Sequence, residues 1–226
     1  MEKRPDRYER IPHTNFRDLD RKGKIQFILD YYLLHIIGVG VALTVLISAV
    51  VYYGFTRKTP MLYLLATDVT LEETAQEQLR QDLTEVLALG RRQSVVWDQD
   101  VTLDISDYER SLRLYTLVGA GAVDAFLCSG TQAENLSVIG ATANLQEVLD
   151  GDLYAALERA GWIVIGTLSE EDGGGAYAMA IDLTDSPVAA RYGFSLPDGE
   201  RLCLCVCVSG EHGEQTQALI RFLLSL

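Results

Sequence analysis

The chain has 226 residues, 48% hydrophobic and 23% charged, which is too apolar for a disordered segment and too short for several large domains. Four Cys exclude a disulfide-stapled scaffold, and 5 Pro with 19 Gly in no triplet period exclude a collagenous chain. A formal net charge of −13 argues against a nucleic-acid surface, because phosphate recognition rests on clustered Lys and Arg.

The charge changes sign along the chain. Residues 1–60 hold ten Lys and Arg against six Asp and Glu, whereas residues 61–226 hold nine against 26. Such a reversal marks two environments. Residues 1–24, charged and without apolar period, read as a cytoplasmic tail whose Arg21, Lys22 and Lys24 can rest on anionic lipid headgroups.

The reversal coincides with the longest apolar run. Residues 31–53, YYLLHIIGVGVALTVLISAVVYY, carry no Asp, Glu, Lys or Arg over 23 positions. As a helix they extend roughly 34 Å, enough to cross a hydrocarbon layer of roughly 30 Å. Tyr doublets at both ends suit the two headgroup regions. Residues 25–56 are therefore predicted to be one transmembrane helix with its flanks. Arg17, Arg21, Lys22 and Lys24 precede it and only Arg57 and Lys58 follow closely, so the amino end is expected in the cytoplasm. A cleavable signal peptide is the rival reading. The apolar run exceeds its usual core of about 7–15 residues and Ile47-Ser48-Ala49 is a poor cleavage site, which favours an uncleaved signal anchor.

Two features inside the span have a functional and a plain reading. His35 is either a proton-sensing group or a neutral imidazole near the interface beside Asp30, and the plain reading is preferred. Gly40, Thr44 and Ser48 recur at intervals of four and form a small-residue stripe on which a second helix, or a second copy of this one, could pack.

Beyond a connector at residues 57–60, residues 61–226 read as an extracytoplasmic α/β domain. Residues 61–67 are of strand length, and Thr70 with Glu73 forms a capping-box signature for a helix whose apolar face is Leu79, Leu83, Val86 and Leu87. A second strand is predicted over 94–103, then a helix opened by Ser106 and Glu109. A third strand covers 123–128, followed by a box at Thr131 and Glu134. One continuous helix is expected over 145–160, with Leu145, Val148, Leu149, Leu153, Ala156, Leu157 and Ala160 on its face and Gly161 as its stop. Strands over 162–167 and 177–183 form an antiparallel pair around the acidic turn at 170–175. A strand over 202–208 and a helix from about Glu214 close the chain. Alternation of strand and helix predicts a three-layer domain with a mainly parallel sheet.

Candidate chemistry is sparse. In an open α/β sheet, ligands gather where parallel strands end and helices begin. That singles out Thr67, Asp68 and Thr70 after the first strand and Ser129, Gly130 and Thr131 after the third, as a ligand rim or merely as helix caps. Cys203, Cys205 and Cys207 alternate along one strand, so their sulfurs project side by side. That opposes a metal site or a bridge among them, although a bridge from Cys128 remains open. No G-x-S-x-G elbow is present, the outer domain has a single His, His212, and Gly119-Ala120-Gly121 is no dinucleotide fingerprint. No catalytic set, metal or cofactor is expected.

The outer domain resembles the first lobe of bacterial extracellular solute-binding proteins of the type II periplasmic-binding fold, related to the maltose-binding group. The residues that carry this are MLYLLATD at 61–68, the stretch 119–157 containing AVDAFLCS and GATANLQEVL, and EHGEQTQALIRFLLSL at 211–226. IQFILDYYLLHIIGVG at 25–40 is similar to the lead-in of uncharacterised membrane-tethered Gram-positive relatives. The resemblance implies that AVDAFLCS ends a strand meeting ligand and that GATANLQEVL precedes a long helix. The chain departs from this family in length, for no second lobe fits within it, and a closing clamshell is not expected.

The expectation is a single-lobed, periplasmic-binding-protein-like α/β domain held outside the membrane by one amino-terminal helix. Its expected role is non-catalytic docking or sensing, with the bilayer and a membrane protein or a second copy as partners. The alternative is a receptor for a sugar or peptide serving a transporter, its cleft completed by a partner chain.

Overall fold

The computed structural model describes residues 20–56, 58–104, 108–168 and 175–225. It divides into two compact units, Met1–Arg57 and Lys58–Leu226.

In the first unit, helix α1 (Arg21–Val51) runs for 31 residues and passes into a π-helical turn, Tyr52–Thr56. No Pro interrupts it, and its apolar residues lie on every side, the composition of a helix surrounded by other apolar matter. The stretch Tyr32–Gly54 is long and apolar enough to cross a membrane, a property that signal sequences share. Residues 21–24, placed with the tail by sequence, form the first turn of α1, where the Lys24 amide donates to the Asp20 carbonyl at 3.0 Å. The rest of that tail, 1–19, lies outside the described residues. The His35 ring meets Tyr32 edge-on at 6.1 Å between centroids. Within the small-residue stripe, the Thr44 hydroxyl donates to the Gly40 carbonyl at 2.9 Å, so its hydrogen bond is made inside its own helix.

The second unit contains strands β1 (Thr59–Thr67), β2 (Gln93–Asp98), β3 (Ala125–Ser129), β4 (Ile163–Leu168), β5 (Gly175–Asp182) and β6 (Leu202–Val206). Its helices are α2 (Glu73–Val86), α3 (Tyr108–Gly119), α4 (Gly130–Val138), α5 (Leu145–Val148), α6 (Gly151–Ala160), α7 (Pro187–Tyr192) and α8 (Gly213–Leu224). The six strands form one sheet in the order β2-β1-β3-β6-β5-β4. β1 pairs in parallel with β2 and β3, whereas β6 is antiparallel to β3 and β5, and β5 to β4. The sheet is thus mixed, not mainly parallel. Only six residues join β4 to β5, too few for the crossover of a dozen or more that a parallel pair needs.

Both faces of the sheet are covered. Leu62, Leu64, Leu127, Leu204 and Val206 face one core, into which α2 sends Leu79 and Leu83 and α8 sends Leu219, Ile220 and Leu223. Leu65, Phe126, Cys128, Cys203 and Cys205 face the other, closed by Leu114 of α3 and by Ala133 and Leu136 of α4. Consecutive Val164 and Ile165 of β4 pair with Ala180 and Ala178, which leaves Met179 as an extra residue in β5. The bulge turns both Met179 and Ala180 into the second core.

Several local expectations are corrected. The strand expected to reach residue 103 stops at Asp98, whose Oδ1 accepts the Asp100 amide at 3.0 Å and turns the chain. The long helix over 145–160 breaks at Leu149, which is extended at φ −97° and ψ 151°. On either side of the break, Leu145, Leu149, Leu153 and Leu157 still enter one core. Gly161 ends α6 at φ 71°, as expected. The box at Ser106 and most of the acidic turn at 170–175 lie outside the described residues.

Phe126 is fully buried in β3, so Phe126→Ala is expected to cost about 3–5 kcal/mol. Tyr108→Ser, at an exposed position on α3, is expected to change stability by less than about 0.5 kcal/mol. Denaturant unfolding followed by Trp fluorescence measures both.

Candidate functional site

The parallel half of the sheet places the carboxyl ends of β1 and β3 side by side, with Thr67 in register with Cys128. Asp68 follows β1 in the left-handed region at φ 57°, which turns the chain over this edge. Its Oδ2 accepts from Gln132 Nε2 at 2.8 Å, a bond from the end of β1 to the first turn of α4. Ser129 caps α4, its Oγ accepting the Gln132 amide at 3.2 Å. The Gly130 amide donates to the Arg201 carbonyl at 3.0 Å. Thr131 donates its amide to Glu200 Oε2 at 3.1 Å and its hydroxyl to Glu200 Oε1 at 2.6 Å.

Five of the six rim residues marked in the sequence therefore meet at one edge: Thr67, Asp68, Ser129, Gly130 and Thr131. The sixth, Thr70, leaves it. Its amide and carbonyl exchange hydrogen bonds with Ser195 at 3.0 and 2.9 Å, and α2 starts at Glu73 without a side-chain cap. The capping role expected of Thr131 belongs to Ser129 instead. Ser129 with Gln132 is itself a Ser-x-x-Gln box, so Gln132 was readable from spacing. Glu200 and Arg201, some 70 residues away, belong to no local pattern.

The edge is electrostatically self-contained. Helix amino ends attract anions, and here the Glu200 carboxylate takes that place. Its hydrogen bonds from the Thr131 hydroxyl and amide hold its carboxyl below the usual glutamate range. Two polar atoms at the same edge, Thr67 Oγ1 and Gln132 Oε1, are buried without a hydrogen-bond partner.

Two buried carboxylates lie elsewhere. Asp98, at the end of β2, accepts from Arg113 Nη2 at 2.5 Å and from the Tyr63 hydroxyl at 2.9 Å, joining β1, β2 and α3. Burial, and then Asp98, push the Tyr63 phenol up to about 12. Asp124, 1% exposed, precedes β3 at the opposite end of that strand from the rim. It accepts the Tyr63 amide at 2.8 Å and the His212 amide at 3.1 Å, with His212 Nδ1 at 3.0 Å. Gly210 permits this approach, since a Cβ there would lie 3.1 Å from the Asp124 Cα. The pairing ties the start of α8 to β3. The nearby Ser209 hydroxyl donates to the Val118 carbonyl at 2.9 Å, so its proton points away from the imidazole.

All four cysteines are buried and free, with Cys128 and Cys205 sulfurs 3.9 Å apart. A disulfide requires about 2.05 Å. Burial pushes the Cys203 thiol up to about 12 and raises Cys207, and the hydrogen bond with Cys205 followed by burial raises Cys128. Neutral thiols are poor nucleophiles and poor metal ligands. Among the described residues, no three His, Cys, Asp or Glu are grouped to hold a metal ion.

A thiol-titrating reagent is expected to leave the native protein unmodified and to count four thiols after denaturation, and a count of two would reveal a bridge. Glu200 gives a pH prediction. A carboxyl lowered by folding stabilises above its unfolded pKa, and that contribution fades as pH falls through the lowered folded value. Glu200→Gln is therefore expected to flatten the melting temperature against pH below about 4.3 and to leave its slope near neutrality unchanged. No protein-family model matches the chain, and no curated protein or solved structure is significantly similar to it.

Proposed function

We infer that this is a single-pass membrane protein, amino end in the cytoplasm, presenting its one-lobed α/β domain outside as a non-catalytic docking or sensing module with a solute-binding-like fold. Support for the anchor comes from the all-round apolar character of α1 and from the excess of Lys and Arg before it. The three-layer arrangement, with a core on each face of the sheet, is what one lobe of a solute-binding protein needs in order to stand alone.

The observation that carries docking over capture is the occupied rim. A solute seated at the amino end of α4 would have to displace Glu200 from two hydrogen bonds. Apolar side chains meanwhile stand in solvent on the α3 face, where Tyr108, Leu112 and Tyr115 are 70%, 49% and 49% exposed at one-face spacing. Tyr is a residue type enriched in protein–protein interfaces. The second reading, a receptor for a sugar or peptide, draws on the unpartnered Thr67 Oγ1 and Gln132 Oε1, which a ligand bearing donors would satisfy.

An impermeant protease added to intact cells is expected to remove a carboxyl-terminal epitope tag. A protected tag would overturn the topology. In a thermal-shift screen of sugars and small solutes, no saturable stabilisation is expected. A saturable rise that Thr131→Ala abolishes would replace docking with the receptor reading.

A further inference from the structure

The second half of α8, α7 and the end of α2 enclose an open groove of about 480 Å3 in the α/β unit, with Val86, Val188 and Phe222 as its apolar walls and Arg191 and Arg221 on its sides. The volume falls within the range of small-ligand sites, roughly 300–1,000 Å3. Its charge is opposite to that of its surroundings. Residues 61–226 carry 26 acidic side chains and nine arginines, yet among the described residues two of those arginines and no acidic side chain line the groove.

The two guanidinium groups are held differently. Arg191 is positioned by Asp82 at 2.8 Å and lies over the Tyr192 ring, 5.3 Å from its centroid. The Tyr192 hydroxyl bonds the same carboxylate, fixing α7 on α2. Arg221 reaches Asp150 only at 3.9 Å, beyond hydrogen-bond distance. Its donor fork is left to another acceptor, and a carboxylate matches that fork.

Helix ends supply the third element. α2 ends at Val86 and α8 ends beside Ser225, and both Val86 and Ser225 line the groove. Most of their terminal carbonyls are capped by the chain itself: those of Leu83, Thr84 and Glu85 accept the amides of Leu87, Leu89 and Ala88, and those of Arg221 and Phe222 accept the Ser225 amide. The partial negative charge of these helix ends would repel an anion were the guanidinium groups not there to offset it. The features shown suit an occupant with apolar side chains and a carboxylate within the few residues the volume admits. The carboxyl end of a polypeptide, the kind of partner the docking reading calls for, combines both.

We propose that this groove takes the apolar carboxyl-terminal residues of a partner protein, the terminal carboxylate between Arg191 and Arg221. The proposal deepens the docking reading by naming where the partner enters, and it rests on that reading for the existence of a partner.

The test is calorimetric titration of the full chain in lipid nanodiscs, with empty nanodiscs subtracted, using N-acetyl tripeptides of Leu, Val and Phe. Saturable binding by at least one peptide is expected. Amidation of its carboxyl end should weaken it about tenfold or more, as should Arg221→Gln, with Arg221→Lys retaining part of the affinity. Glu134→Gln, at an exposed position of α4 outside the groove lining, should leave it unchanged. Arg191→Gln disturbs the α2–α7 contact, so Arg221→Gln, with its melting temperature checked against wild type, is the deciding variant. The proposal is overturned if no tripeptide binds, if the amides bind equally well, if Arg221→Gln has no effect, or if octanoate binds as tightly as the peptides. Loss of peptide binding alongside the expected protease result removes the groove and leaves the anchored topology in place.

Discussion

Burial of the sheet on both faces is the constraint from which most of the domain follows. β3 and β6 are buried over their full length, so their backbone groups have no water to turn to and pair in the ladder. β6 shows the consequence in sequence: Leu202, Leu204 and Val206 serve one core while Cys203, Cys205 and Cys207 serve the other. Cysteine works there as a small apolar filler, tolerated because the α3–α4 side is tightly closed. With the sheet's two faces spent on packing, chemistry is confined to strand ends and helix surfaces.

The same constraint decides how the acidic residues are used. Most of the 26 carboxylates beyond residue 60 face solvent, but Asp98 and Asp124 are buried, and burial of an unpaired charge is costly. Each is surrounded by donors, Arg113 and Tyr63 for one, His212 and two amides for the other. Tyr63 touches both, giving its hydroxyl to Asp98 and its amide to Asp124. A single residue of β1 thus links β2 and α3 on one side to β3 and α8 on the other. Asp68, in a left-handed conformation that costs roughly 1 kcal/mol, is held by Gln132 in the same manner.

What the sequence reveals is what depends on near neighbours. The alternation in β6, the helix face of α8 and the Gly161 stop are short-range patterns, and all three are in the structure. The failures are competitions between two local signals, or contacts across long separations. Thr131 and Ser129 both head plausible capping boxes, and the fully buried Ser129 at the strand end prevails. α7, capped by Ser186 and ended at Gly193, has only six residues, too few to show a period. The direction of β6 follows from a register with β3 more than 70 residues away. The rim's most consequential residue, Glu200, is likewise distant in sequence.

Glu200 and the arginine groove set a difference in the cost of binding at two places. At the rim, an incoming anion replaces a carboxylate already bonded to the hydroxyl and amide of Thr131, so it must exceed interactions the protein makes with itself. At the groove, Arg221 has no hydrogen-bonded carboxylate to give up, and the apolar walls gain by losing water. Affinity is the surplus over what binding displaces. The proposed partner would thus engage the α2–α7–α8 layer and leave Glu200 bonded to Thr131.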